Sequence, residues 1–231
     1  DCISPRFAIA ALIAALDHRN KTGQGQLIEI SQFETALSFI APALLDYTVN
    51  RREPVRTGNS NPAAAPHGVF PCQGDDRWCA IAVSNENQWL DFCRVIDNPG
   101  LAADPRFSRL SERKKNEEEL NKIVSLWTKT RTAEEVMEKL QVAGVPAGVV
   151  KNAADIYTDP QLRQRNLFWK MQHPEMGEFT HLGQGFSLSK TPAQAKTPSP
   201  LLGEHTEYIC SHLLGMKDEE FAQFSGAGVF E

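Results

Sequence analysis

The stretch "SPRFAIAALIAALDHRNKT" (residues 4–22) limits what this chain can fold into more than any other segment. Between Phe7 and Leu16 it is apolar or small on nearly every side, and a helix without a polar face has to be covered by protein all round. The apolar run is too short to span a bilayer, which takes about 20 residues. Ser4 suits the N-cap, and Pro5 suits the first helical position, where its missing N–H costs nothing. Gly23, in "TGQG", provides the left-handed stop. "QLIEI" (Gln26–Ile30) then reads as a short strand. Ser31 and Glu34 form a Ser-x-x-Glu capping box opening "QFETALSFIAPALLDYTV", and Pro42 should kink or split that helix. Helix, strand and helix with short connections predict a piece of a layered α/β sheet.

From Asn50 to Pro71 the texture changes to "NRREPVRTGNSNPAAAPHGVFP", rich in proline and without periodicity, which marks a linker or a functional loop. A compact second unit follows. "RWCAIAV" reads as a strand, and "NENQWLDFCRVI" as an amphipathic helix with Trp89, Phe92 and Val95 on one face. "LSERKKNEEELNKIVSLWTKT" predicts one longer helix. Thr132 and Glu135 box the start of the next, "AEEVMEKLQVAG", and "VPAGVVK" is a strand after it. "DPQLRQRN" is a short helix, "LFWKMQHP" and "EFTHLGQGFSLS" a strand pair, and "TPAQAKTPSPLLGEH" a Pro-rich connector before two short C-terminal helices. The opening helix and strand find no parallel partner set later in the sequence. The expectation is therefore the C-terminal portion of a larger protein, or one subunit of a split one.

Length and composition, 231 residues with 41% hydrophobic and 23% charged, are those of a globular chain able to bury a core. The net charge of −5 argues against nucleic acid as a main partner, because phosphate neutralisation needs a basic face. Arg113-Lys114-Lys115, followed by Glu117-Glu118-Glu119, reads as a solvated helix face of mixed sign. The five cysteines are odd in number and have no CxxC spacing, which argues against a disulfide framework and a thiolate zinc site and fits a reducing cytosol. The six histidines are scattered and read as surface or satisfied polar residues. No P-loop, dinucleotide fingerprint, H-E-x-x-H or G-x-S-x-G motif is present. "TGQGQ" is a helix stop and turn rather than a phosphate loop. No metal is expected, there is no signal-peptide pattern, and a soluble cytoplasmic protein without membrane association is the expectation.

Asp1 lies three residues before the proposed cap of a helix built for burial. A carboxylate beside the positive end of a helix dipole stays ionised and available as a nucleophile, which makes Asp1 a candidate and no more.

The run "AALIAALDHRNKTGQGQLIEISQFETAL" behind that aspartate resembles the signature stretch of the class III CoA-transferases (the CaiB/BaiF and formyl-CoA transferase group). The likeness continues through "TGNSNPAAAPHGVFPCQG", "DPRF", "AGVPAGVV", "DPQLRQRNLF" and "LLGEHTEYI" to "GAGVF", so it covers essentially the whole chain. No one motif is diagnostic, but their order and spacing together are specific. The resemblance implies that Asp1 is the catalytic nucleophile and that the loop residues Asn61, Ala63, Ala64, Ala65 and His67 contact substrate or CoA. That loop would exclude water and could donate N–H groups to the developing oxyanion.

The implied reaction moves CoA between an acyl-CoA and a carboxylic acid through an aspartyl anhydride and an aspartyl-CoA thioester, with no cofactor beyond CoA itself. The implied fold is α/β: the C-terminal part of a Rossmann-like large domain (1–50), a linker or active-site loop (51–67) and a smaller α+β domain (68–170). A second linker (171–200) and C-terminal helices returning to the large domain (201–231) complete it. The intact enzyme would be an interlocked homodimer whose N-terminal half supplies most of the CoA pocket. Two departures stand out. Pro62, Ala63, Ala64 and Ala65 occupy the place of a glycine-rich loop, and Pro5 the place of a frequent glycine, so formyl or oxalyl specificity is not carried over. The alternatives are an α-methylacyl-CoA racemase using the same aspartate, or a non-catalytic C-terminal subunit or fragment.

Overall fold

A computed structural model describes residues 2–230, so Asp1 and Glu231 lie outside the described residues. The chain divides into two compact units between Gly148 and Val149. It is a mixed α/β chain.

In the first unit α1 (Ser4–Thr22) ends at Gly23, whose φ of 75° is the expected left-handed stop. The N-cap is Ile3 rather than Ser4. Ser4 is instead the first helical residue, buried with its Oγ 2.6 Å from Thr35 Oγ1, and it ties α1 to α2 (Gln32–Leu37). Ser31 caps α2 through Glu34 N–H, and Pro42 splits the segment as expected, sitting in the first turn of α3 (Ala41–Asn50).

The strand expected at 26–30 is absent, and Leu27 there is 91% exposed. A strand exists only where a neighbour supplies ladder hydrogen bonds, and no described residue does so here. All-round cover for α1 is likewise not provided, since Ile9, Leu12 and Ile13 are each more than half exposed.

The core of this unit lies under a three-stranded sheet of order β1 (His67–Pro71), β2 (Trp78–Ala82) and β3 (Ala147–Val149). β1 and β2 are antiparallel, with Gly68 opposite Ile81 and Phe70 opposite Cys79. Alternation puts Phe70, Cys79 and Ile81 on the buried face. Against the sheet pack α7 (Glu117–Thr128), on β1, and α8 (Ala133–Val142), on β2, while α4 (Glu86–Val95) packs on α8 and the short α5 (Gly100–Ala103), and α6 (Leu110–Lys115) on α7. In α4 the inward residues are Trp89, Phe92 and Cys93; Cys93 takes the place expected of Val95, as a spacing of three and four dictates. Each fully buried large apolar side chain of this layer contributes about 1.5–3 kcal/mol. The helix expected over 110–130 breaks at Asn116 into α6 and α7.

The second unit carries α9 (Ala153–Thr158) and α10 (Pro160–Gln164), then a hairpin of β4 (Phe168–His173) and β5 (Gly177–Leu182). Asp159 caps α10 through Leu162 N–H and pairs with Lys151, whose hydrogen bond holds the carboxyl below its usual range. A π-helical turn (Tyr208–Leu213) and α11 (Asp218–Gly226) close the chain. No helix among the described residues is long and apolar enough to cross a membrane.

Candidate functional site

The segment Asn59–His67 leads into β1 and is built from short-range turns. Asn61 Oδ1 accepts the Ala63 N–H at 2.8 Å, and Asn61 O accepts the Ala64 N–H at 3.4 Å. Pro62 and Ala63 form an exposed crown, while Ala64, Ala65 and Pro66 are buried. Ala65 N–H donates to Val83 O at 3.0 Å, so the segment joins the end of β2.

Two consecutive residues of α6 hold the two ends of this segment. Arg113 is 1% exposed, the reverse of the solvated face read from its charge run. Its Nε donates to Ala65 O at 2.9 Å and its Nη1 to Phe107 O at 3.1 Å. Its two Nη groups grip the Glu86 carboxylate at 3.0 and 3.1 Å, and its guanidinium lies 4.7 Å over the Trp89 ring. A planar cation with five donors can be buried this way because nearly every donor and its charge are answered. Lys114 reaches the other end, with Nζ 2.8 Å from Ser60 Oγ and 2.7 Å from Glu117 Oε1.

His67 completes the frame. Its Nδ1 lies 2.6 Å from Asn59 O. A carbonyl can only accept, so Nδ1 carries a proton and donates it to Asn59 O. Asn59, His67, Gly68 and Val69 border two hollows, one of about 430 Å³ over Ala80 and Ala82 and one of about 370 Å³ toward α7.

Of the expected site residues, Asn61, Ala63 and His67 therefore present surface, whereas Ala64 and Ala65 are 3% and 0% exposed. Ala64 and Ala65 are part of the core. The N–H groups of Ala63, Ala64 and Ala65 all have acceptors within the chain, so the N–H donation expected of this segment is not available from these three. Asp1 lies outside the described residues. Arg113, Lys114, Glu86 and Glu117 were missed, since nothing in their spacing marks Arg113 as the buried residue of α6.

Burial holds the thiols of Cys79 and Cys93 in the protonated form. Burial pushes Cys79 up to about 11 and Cys93 up to about 12, far from the thiolate form at neutral pH. Among the described residues no cluster of three or more His, Cys, Asp or Glu could hold a metal ion.

A sequence model described as CoA-transferase family III matches residues 1–206. "Probable CoA-transferase Rv1866" of Mycobacterium tuberculosis is 35% identical over 221 residues, which are 95% of this chain and 28% of that protein. The succinyl-CoA–D-citramalate CoA-transferase of Chloroflexus aurantiacus is 28% identical, covering 99% of this chain and 57% of its own. A CaiB/BaiF family protein of Brucella suis superposes with a TM-score of 0.80 at 26% identity, over 91% of this chain and 54% of that one. The chain thus spans little more than half the length of these relatives, or less.

Proposed function

The chain belongs to CoA-transferase family III, and from that premise we propose that it carries part of an enzyme moving CoA from an acyl-CoA to a free carboxylic acid. The match across residues 1–206, which includes Asp1, is the observation that carries the reading. In the proposed route the Asp1 carboxylate attacks the thioester carbonyl and expels CoA thiolate, giving a mixed anhydride. The thiolate then attacks the aspartyl carbonyl, releasing the donor acid and leaving an aspartyl-CoA thioester. The acceptor carboxylate runs the same steps in reverse. An anhydride is at least as activated as a thioester, so the acyl activation is carried through the covalent steps and not lost to water. The chemistry calls for two carboxylates and a thiolate, without metal or further cofactor.

In this reading the Asn61–His67 segment is a fixed wall beside the reacting carbonyl. Its surface residues Asn61, Ala63 and His67 meet the acyl group, and Arg113 and Lys114 hold the segment in place. Oxyanion stabilisation falls to donors outside Ala63–Ala65. From the family resemblance we also assign residues 1–50 to a Rossmann-like large domain, completed by an N-terminal half, within an interlocked cytoplasmic homodimer. The isolated chain is then expected to be inactive by itself. No observation on this chain favours the racemase alternative.

The test uses the polypeptide assembled with its N-terminal half. Succinyl-CoA, the donor in the name of the Chloroflexus relative, is offered with a panel of carboxylic acids. Asp1→Ala should lower kcat by several orders of magnitude, as removal of a covalent nucleophile does. Hydroxylamine trapping during turnover should place the modification on Asp1. Modification at Glu29 or Glu34 instead would overturn the assignment.

A further inference from the structure

The second unit gathers side chains from three elements over one face of its hairpin. In β4 and β5, Lys170 stands directly opposite Thr180, and Gln172 opposite Glu178. Side chains two apart on a strand share a face with their cross-strand partners, so Phe168, Lys170, Glu178 and Thr180 project together. Tyr157, near the end of α9, meets that face twice. Its ring lies 5.2 Å from the Phe168 ring, tilted by 60°, and its hydroxyl lies 3.2 Å from Thr180 Oγ1. Arg163, from α10, donates from Nε to Tyr157 O at 3.3 Å and holds its guanidinium 5.8 Å from the centre of the Tyr157 ring. Tyr157, Arg163, Phe168, Lys170 and Thr180 line a hollow of about 390 Å³, and small-molecule pockets run from about 300 to 1,000 Å³.

The donors of this hollow are not used up within the chain. Lys170 Nζ is paired with Glu178 Oε1 at 2.9 Å. Arg163, by contrast, has no carboxylate partner among the described residues, and no hydrogen bond from them engages its Nη groups. Tyr157 and Thr180 carry two hydroxyl protons between them, and their mutual hydrogen bond takes one, so one O–H remains to donate. The free N–H groups of a guanidinium with an O–H beside them match a carboxylate, which accepts at both oxygens. With Lys170 already answered by Glu178, one positive charge is left over, which suits a monoanion better than a phosphate dianion. The two tilted rings add an apolar wall against which a flat hydrocarbon body can stack.

We propose that this hollow is a binding site for a small aryl carboxylate. The Nη groups of Arg163 and the remaining O–H of the Tyr157–Thr180 pair hold the carboxylate, and its ring lies against Tyr157 and Phe168. Lys170 flanks the carboxylate while it stays paired with Glu178. The site is built within the second unit alone and does not depend on the transferase reading.

The test is a ¹H–¹⁵N NMR titration of the full chain with sodium benzoate, the ionic strength held constant with sodium chloride. Benzamide, which keeps the ring and loses the charge, and inorganic phosphate are the rival probes. Benzoate should give saturable shifts at the Arg163 Nε–H and at the Lys170 and Thr180 amides, and benzamide should give none. Arg163→Gln should weaken binding about tenfold or more, the scale of a lost charge-assisted pair. Arg163→Lys keeps the charge but loses the fork and should weaken it about threefold. Arg165→Gln removes an equal charge from a residue outside the lining and should leave binding at the parent value. A dispersed spectrum verifies the fold of each variant. Absent shifts, equal shifts with benzamide, or tighter binding of phosphate than of benzoate would each overturn the proposal. So would parent-like binding by Arg163→Gln, or equal weakening by Arg165→Gln.

Discussion

Arg113 concentrates the energetics of the candidate site in one side chain. Lysine at this position keeps the charge but loses the planar fork, so it cannot bond Ala65 O, Phe107 O and both Glu86 oxygens while lying flat on Trp89. Arg113→Lys should destabilise the first unit by about 2 kcal/mol, the scale of leaving the buried Ala65 and Phe107 carbonyls without their donors. Urea unfolding followed by tryptophan fluorescence reads this directly, and a midpoint equal to the parent's would remove Arg113 from its place as the anchor. The sequence concealed this residue because a run of charges averages to a solvated face, while burial depends on partners distant in the chain. Glu86, Phe107 and Ala65 are such partners, and none is marked by spacing. Asp1 stands differently: local physics made it a candidate, and its proposed role comes from the family resemblance alone.

Elements whose determinants are local were readable, and those needing a distant partner were not. Thr132 and Glu135 form the expected reciprocal box at the start of α8, with the Glu135 N–H 3.2 Å from Thr132 Oγ1 and the Thr132 N–H 2.9 Å from Glu135 Oε2. Thr132→Ala should cost about 1 kcal/mol, read as a shifted denaturation midpoint with unchanged slope; an unshifted midpoint would mean that the cap adds nothing measurable. Gly23 and Pro42 acted through their own backbone restrictions and were equally legible. The strand at 26–30 failed because a strand is a relation between two segments, and periodicity in one of them cannot reveal whether the other is present. The break at Asn116 was missed since no proline or glycine marks it.

Across the molecule, apolar surface is distributed unevenly. The first unit buries Trp89, Phe92, Phe107 and Leu120 almost completely, while α1 leaves Phe7, Ile9, Leu12, Ile13 and Leu16 between 39% and 61% exposed. Ile9, Leu12, Ile13 and Leu16 share one face at helical spacing, and a contiguous apolar stripe of that kind marks an interaction surface or an aggregation liability. Replacing Ile9 and Ile13 together by glutamate should therefore reduce binding of the dye ANS and raise the concentration at which the isolated chain self-associates. The unfolding midpoint reported by the Trp89 core should stay within about 0.5 kcal/mol of the parent, as for surface changes generally. Unchanged dye binding would place the exposed apolar surface elsewhere, on α3 for example. The need for cover on α1 could be read from the sequence; what supplies that cover could not.

The Asn61–His67 segment is fastened at its feet and open at its crown, with Pro62 and Ala63 exposed and outside the core. A lineage can exchange or lengthen those two residues without disturbing Arg113, Lys114 or the end of β2. A one-residue insertion in α6 ahead of Arg113, by contrast, turns the remainder of that short helix by about 100° and moves both fastenings at once. Heritable variation is thereby channelled: the crown is free to diversify, while the reading frame of a single helical turn is kept.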